Sequence, residues 1–209
     1  MVAASTLLEL GFDGVQLTPG CAPEPSLHDD LLTAGTPCST HHGYSNVAMR
    51  RRVWDDSGAL GSTSDSIHPP LRENATTFWQ LAETDPTALP IIEVMYGPYA
   101  LGCRQEIARA MTLGLRLAID VSHLHIQLTA GTSTNASIRA LLEYENIAEI
   151  HLSHNDGTKD AHQPLQRTSY QAAWAKERQG TPVVFEGYLH RLSTKERLEQ
   201  VELLRELLT

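Results

Sequence analysis

Short apolar runs recur along the chain, and between them lie stretches with helical spacing. The runs fall near residues 14–18, 36–41, 64–68, 90–95, 116–121, 147–152 and 182–186, and predict seven strands. Helical patterns occupy 1–10, 71–82, 103–113, 136–144, 170–178 and 194–208. In the last of these Leu198, Val201, Leu204 and Leu208 are spaced to line one face. Ser193 with Glu196 three residues on forms a capping box ahead of it. Continuous apolar strands alternating with helices predict a parallel sheet covered by helices. The expected fold is therefore α/β, a TIM-type (β/α) barrel. A closed barrel needs eight strands. The chain opens on a helix, so the first strand is the missing one, and the barrel is expected to be incomplete at its N-terminus. The segment holding Val15 and Leu17 would then be an open edge. A partner chain (a homo-oligomer or another protein), a side-chain plug or a collapsed seam should cover it. No repeat, low-complexity segment or linker divides the chain, which reads as one domain over residues 1–209.

The polar residues that end these runs change the picture from fold to chemistry. His41, His68, Glu93, Asp120, His151 and Glu186 each end a run, in TPCSTHH, SDSIHPP, LPIIEVMY, LRLAIDVSH, IAEIHLSH and TPVVFEG. Residues at the C-terminal ends of parallel strands share one rim of the sheet, where such folds place their sites. His123 follows Asp120 by three, and Asp160 and His162 form an Asp-x-His pair after His151. A strand cannot aim residues three apart at the same side, so the chain must turn after Asp120 if His123 is to join it. Imidazole with carboxylate is a donor set for zinc, manganese or iron, and the expected cofactor is one to three divalent ions per chain. His41 and His42 are adjacent, so only one can point inward from a regular strand. His125 has no assigned partner and reads as a core or supporting residue. Glu93 and Glu186, with His123, are the candidates for direct participation in the reaction, since a carboxylate beside a metal can move a proton.

Composition narrows the classes. Ten histidines in 209 residues is a high count that metal binding explains. A net charge of −9 argues against DNA or RNA as a generic partner. Arg50, Arg51 and Arg52 form one short basic run, and Arg167 lies five residues past His162, where its guanidinium could hold an anionic substrate. Cys21, Cys38 and Cys103 have no CxxC spacing and are odd in number, which fits a reduced, cytoplasmic setting. No long apolar segment predicts a membrane span.

GFDGVQL, HHGY, IHPP, the strand ending in Glu93, AIDVSH, HLSHNDGTKDAHQPL and VVFEGY together resemble the xylose isomerase-like TIM-barrel superfamily, over Leu8 to Leu208. The resemblance implies Glu93, Asp120, His151 and Glu186 as ligands of a main metal. Endonuclease IV-type members would add His41, His68, His123, Asp160 and His162, which complete a trinuclear cluster. A looser likeness is to multinuclear iron-dependent oxidases that modify peptides, in which a strand reading EIHL also precedes Asp-x-His. Several features depart from these patterns. The first strand is lacking, the loop from His151 to Asp160 is short, Gln163 to Arg167 replaces a glycine-rich ending, and Val94 stands where iron oxidases often carry asparagine. The implied functions are an isomerase or epimerase acting on a small polar substrate, an iron-dependent oxidase acting on a peptide or amino acid, or a phosphodiesterase. A non-catalytic metal-binding barrel is the alternative outside enzymes.

Overall fold

A computed structural model describes residues 4–19, 27–44, 52–61, 64–178 and 180–208. All seven strands form: β1 Val15–Leu17, β2 Cys38–Thr40, β3 Ser66–Ile67, β4 Ile91–Val94, β5 Leu117–Asp120, β6 Ile147–Leu152 and β7 Val183–Phe185. The helices are α1 Ala4–Glu9, α2 Leu27–Thr33, α3 Thr76–Thr84, α4 Arg104–Thr112, α5 Val121–Thr129, α6 Asn135–Leu142, α7 Tyr170–Ala175 and α8 Thr194–Leu208. Of these, α2 and α5 were not predicted. Helix α5 is hidden in the sequence because it starts directly on the strand-ending Asp120.

The strands do not make one barrel, and the expectation of a TIM-type barrel is corrected. Strands β3 to β7 pair in order as a curled, five-stranded parallel sheet, while β1 and β2 form a separate two-stranded parallel sheet. Among the described residues the backbone pairing between the two is an isolated bridge from His41 to Ser66. The physical reason lies in length: β1 and β2 have three residues each and β3 has two, so their ladders hold few hydrogen bonds. The result is a half-barrel with a small sheet beside it.

The ladder between β1 and β7 is absent among the described residues. A cleft of about 1050 Å³ lies there, walled by Leu7 of α1, Val15 of β1, Val183 of β7 and Leu204 of α8. Side chains close part of this seam. Phe12 stacks on Phe185 at a centroid distance of 6.4 Å, and Gln16 Nε2 reaches across the interior to Glu149 at 3.4 Å.

The core sits between the five-stranded sheet and its helices. Ile67, Ile92, Val94, Leu117, Ile119, Ile150 and Leu152 are fully buried and cluster with Phe78, Leu101, Leu124 and Leu141. Alternation along each strand then points the intervening residues to the concave side: Glu93, Ala118, Asp120, Glu149 and His151. Helix α8 buries Val201, Leu203, Leu204 and Leu207, and Leu198 is exposed instead of joining that face. Its capping box forms as expected, with Ser193 N donating to Glu196 at 2.7 Å. No helix among the described residues is long and apolar enough to cross a membrane.

Candidate metal centre

All nine candidate ligands face one another at the concave rim. Glu93, on β4, is central and fully buried by its neighbours. Its Oε2 lies 3.2 Å from both His41 Nε2 and His68 Nε2, and its Oε1 lies 3.2 Å from His123 Nδ1. His151 Nδ1 stands 3.7 Å from Glu93 and 3.3 Å from Glu186. On the other side His123 Nε2 faces Asp120 at 3.4 Å and Asp160 at 3.3 Å. Asp160 in turn meets His162 Nε2 at 3.0 Å, and His162 Nδ1 lies 3.8 Å from Glu186. Two sets, His41–His68–Glu93 and Glu93–Asp120–His123, present ligand atoms close enough together to hold a metal ion, and they share Glu93.

Local backbone chemistry places these groups. Asp120 ends β5 and also starts α5: its carboxylate accepts from Ser122 N at 2.6 Å and His123 N at 3.1 Å. One oxygen therefore caps the helix, while Oδ2 turns to the site. The turn this creates brings His123 beside Asp120. Asp160 and His162 ride on the loop after β6, which is folded back by paired backbone bonds between His154 and Gln163 at 2.8 and 3.0 Å. Asn155, fully buried, ties that loop to α5 by donating to Ser122 O at 2.9 Å. His162 adopts φ 43° and His42 φ 42°, both in the left-handed region that costs a non-glycine residue energy and clusters at functional sites.

Three imidazoles are held by one nitrogen and present the other. His123 Nδ1 donates to Val94 O at 3.0 Å, which leaves Nε2 toward Asp120 and Asp160. His41 Nδ1 is bound to Ser66 Oγ at 2.9 Å, so Nε2 faces Glu93. His151 Nε2 is bound to Glu149 at 3.0 Å, and Nδ1 faces Glu93 and Glu186. This is the arrangement of metal-binding histidines, whose outer nitrogen fixes the tautomer and ring direction.

The electrostatics depend on mutual compensation. Burial works to raise the Glu93 carboxyl, but His68, His151, His123 and His41 outweigh it and hold the group well below its ordinary range. Burial likewise works to raise Glu186, and His151 overcomes it, so Glu186 is also held low. Asp120 goes the other way: burial, added to the charges of Glu186, Glu93 and Asp160, pushes it up to about 7. His123 and His151 lie well above the usual imidazole value despite burial, His123 mainly because of Asp120 and His151 mainly because of Glu186. His162 is raised by its bond to Asp160. Without a metal ion, protons on imidazoles neutralise the carboxylates.

Five buried atoms in this group have no aligned hydrogen-bond partner: Glu93 Oε2, Asp120 Oδ2, His151 Nδ1, Asp160 Oδ1 and His162 Nδ1. Each unsatisfied buried polar atom costs roughly 1–3 kcal/mol, and a shared ligand would compensate several of them at once. These buried His, Glu and Asp groups could hold a metal ion. His68 and His162 are about a quarter exposed, which makes theirs the open side of the centre. The rings of Tyr96, Tyr99 and Tyr188 border it, against His123, His68 and His162 respectively.

The remaining candidates divide. Of the adjacent pair, His41 points to Glu93, whereas His42 stacks on His68 at 3.7 Å and accepts from His68 N at 3.1 Å. His125 is a supporting residue bonded to Asn155 at 3.0 Å. Arg167 is corrected as an anion holder: it is exposed and ion-paired to Glu206 of α8, because the helical layer offers its guanidinium a carboxylate. Arg50, Arg51 and Cys21 lie outside the described residues. Arg52 is exposed and pairs with Asp56 at 2.7 Å. Cys38 and Cys103 are free thiols. Glu149 was missed, although alternation in Glu149-Ile150-His151 puts it on the same face as His151.

No family model matches the chain, and comparison with curated proteins and with solved structures returns no match.

Proposed function

We propose that this chain is a metal-dependent enzyme with a di- or trinuclear centre at the rim of its half-barrel. One observation carries the reading: five imidazoles and four carboxylates converge, and five of their buried polar atoms lack an aligned hydrogen-bond partner. Glu93 would be the shared ligand between ions. His41 and His68 would complete one position, Asp120, His123, Asp160 and His162 another, and His151 with Glu186 a third. A bound transition metal would supply Lewis acidity or redox chemistry there. The likeness of the site motifs to xylose isomerase-like enzymes belongs to the same proposal.

Within this class the leading reading is isomerase- or epimerase-type chemistry on a small polar substrate, and the second is iron-dependent oxidation of a peptide or amino acid. The donor set of imidazole and carboxylate suits iron as well as zinc and manganese. Metal analysis of protein purified without added metal separates the readings. Two or three iron atoms per chain, with oxygen uptake on addition of substrate peptides, supports oxidation. A single manganese or magnesium ion supports isomerisation, and zinc supports hydrolysis.

A further inference from the structure

Below the centre lies a second polar layer that the metal-binding groups do not include. Glu149 is 7% exposed and sits one inward position before His151 on β6. Its partner in register on β5 is Ala118, whose methyl leaves room for a longer side chain. Gln16 of β1 spans the half-barrel and places Nε2 3.4 Å from both Glu149 oxygens. The same amide reaches Ser39 at 3.3 Å and Ser66 at 3.5 Å. Ser66 in turn holds His41. A carboxylate buried this deeply is strongly disfavoured unless its charge is compensated, and among the described residues the imidazole bonded to it is that of His151.

We propose that Glu149, braced by Gln16, is the positioning residue of the centre: it keeps the His151 proton on Nε2 and aims the Nδ1 lone pair at the ion between Glu93 and Glu186. The inference rests on the metal-centre reading given above. A carboxylate behind a ligating imidazole fixes its tautomer and makes it a stronger donor, and losing such a partner typically lowers metal affinity about 10–100-fold. Gln16 also links the small β1–β2 sheet to β6, so the layer joins the two sheets beneath the site.

The test is zinc binding, measured in competition with a chromophoric chelator, for the full chain and for Glu149→Gln and Glu149→Ala. Long-range proton–nitrogen NMR of the zinc-loaded proteins reads the His151 tautomer. A glutamine oxygen can still accept from Nε2–H, so Glu149→Gln should bind zinc within about threefold of the parent, while Glu149→Ala loses about 10–100-fold. The parent should show His151 protonated at Nε2 and bound through Nδ1. Equal zinc affinity in Glu149→Ala would overturn the positioning role, as would a parent His151 bound through Nε2. If Glu149→Ala does not fold, the parent tautomer and the Glu149→Gln affinity still decide. Failure of the parent itself to bind zinc would overturn the metal reading, and this result is distinct from the other two.

Discussion

His41 and His68 meet Nε2 to Nε2 at 3.0 Å, with one oxygen of Glu93 3.2 Å from each. Two imidazole nitrogens this close repel as bare lone pairs, and a proton or a cation must sit between them and the carboxylate. Because Glu93 also belongs to the set with Asp120 and His123, one side chain serves two positions. Glu93→Gln should therefore remove more metal per chain than replacement of any other single ligand. Elemental analysis of the variants checks this, with circular dichroism to confirm the fold. Loss no greater than that in His68→Ala would show that Glu93 is not shared.

Asp120 offers a way to separate helix capping from metal binding. One of its oxygens holds Ser122 N and His123 N, and the other faces His123 Nε2 at 3.4 Å. Serine also caps helices, so Asp120→Ser should retain α5 yet lose affinity for metal. Asp120→Ala should lose both, and be less stable than Asp120→Ser by about 1 kcal/mol in denaturant unfolding. Equal stability of the two variants would mean that the cap contributes nothing.

Acid and base should act oppositely on the metal-free and metal-loaded protein. His123, His151 and His162 are raised above the ordinary 6.5 in the folded chain. Their contribution to stability is full below that unfolded value and is lost as pH rises through the higher folded values. Asp120, raised from 3.8 to about 7, adds loss in the same direction, because its ionised form is the disfavoured one. Glu93 and Glu186, held low, contribute at neutral pH and fail only in acid. The melting temperature of the metal-free protein should fall first between pH 3.8 and about 7, where Asp120 ionises in the unfolded chain before the folded one, and further as pH rises above 6.5, where the imidazole contribution is lost. Metal must displace the imidazole protons, so the stabilisation that zinc provides should grow over the same range. A zinc effect independent of pH would place binding away from these histidines.

Arg167→Ala is expected to leave metal content and substrate binding unchanged, since the side chain is exposed and paired on the helical layer with Glu206. Weakened binding of an anionic substrate in this variant would reinstate Arg167 at the site.

Much of the site was legible because each residue ends an apolar run, and strand ends share a rim by geometry alone. His41, Glu93, Asp120, His151 and Glu186 come together for that reason. Sheet closure was not legible. Pairing of β2 with β3, and of β7 with β1, depends on ladder length and neighbours distant in sequence, and the apolar runs looked alike whether or not they paired. Helix α5 was obscured because Asp120 ends a strand and caps a helix at once. Glu149 was overlooked because a lone acid within IAEIHL reads as an outward residue until the face is counted from His151. The distance of Arg167 in sequence from His162 carries no information about which side of a loop an arginine takes.

Anomalous diffraction from crystals of the metal-loaded protein tests the central claim most directly. The account predicts more than one anomalous peak among the nine residues, one of them bound by Glu93, with ligand atoms at about 2.0–2.3 Å. Folded protein soaked in zinc or iron that shows no peak within reach of Glu93 would contradict it.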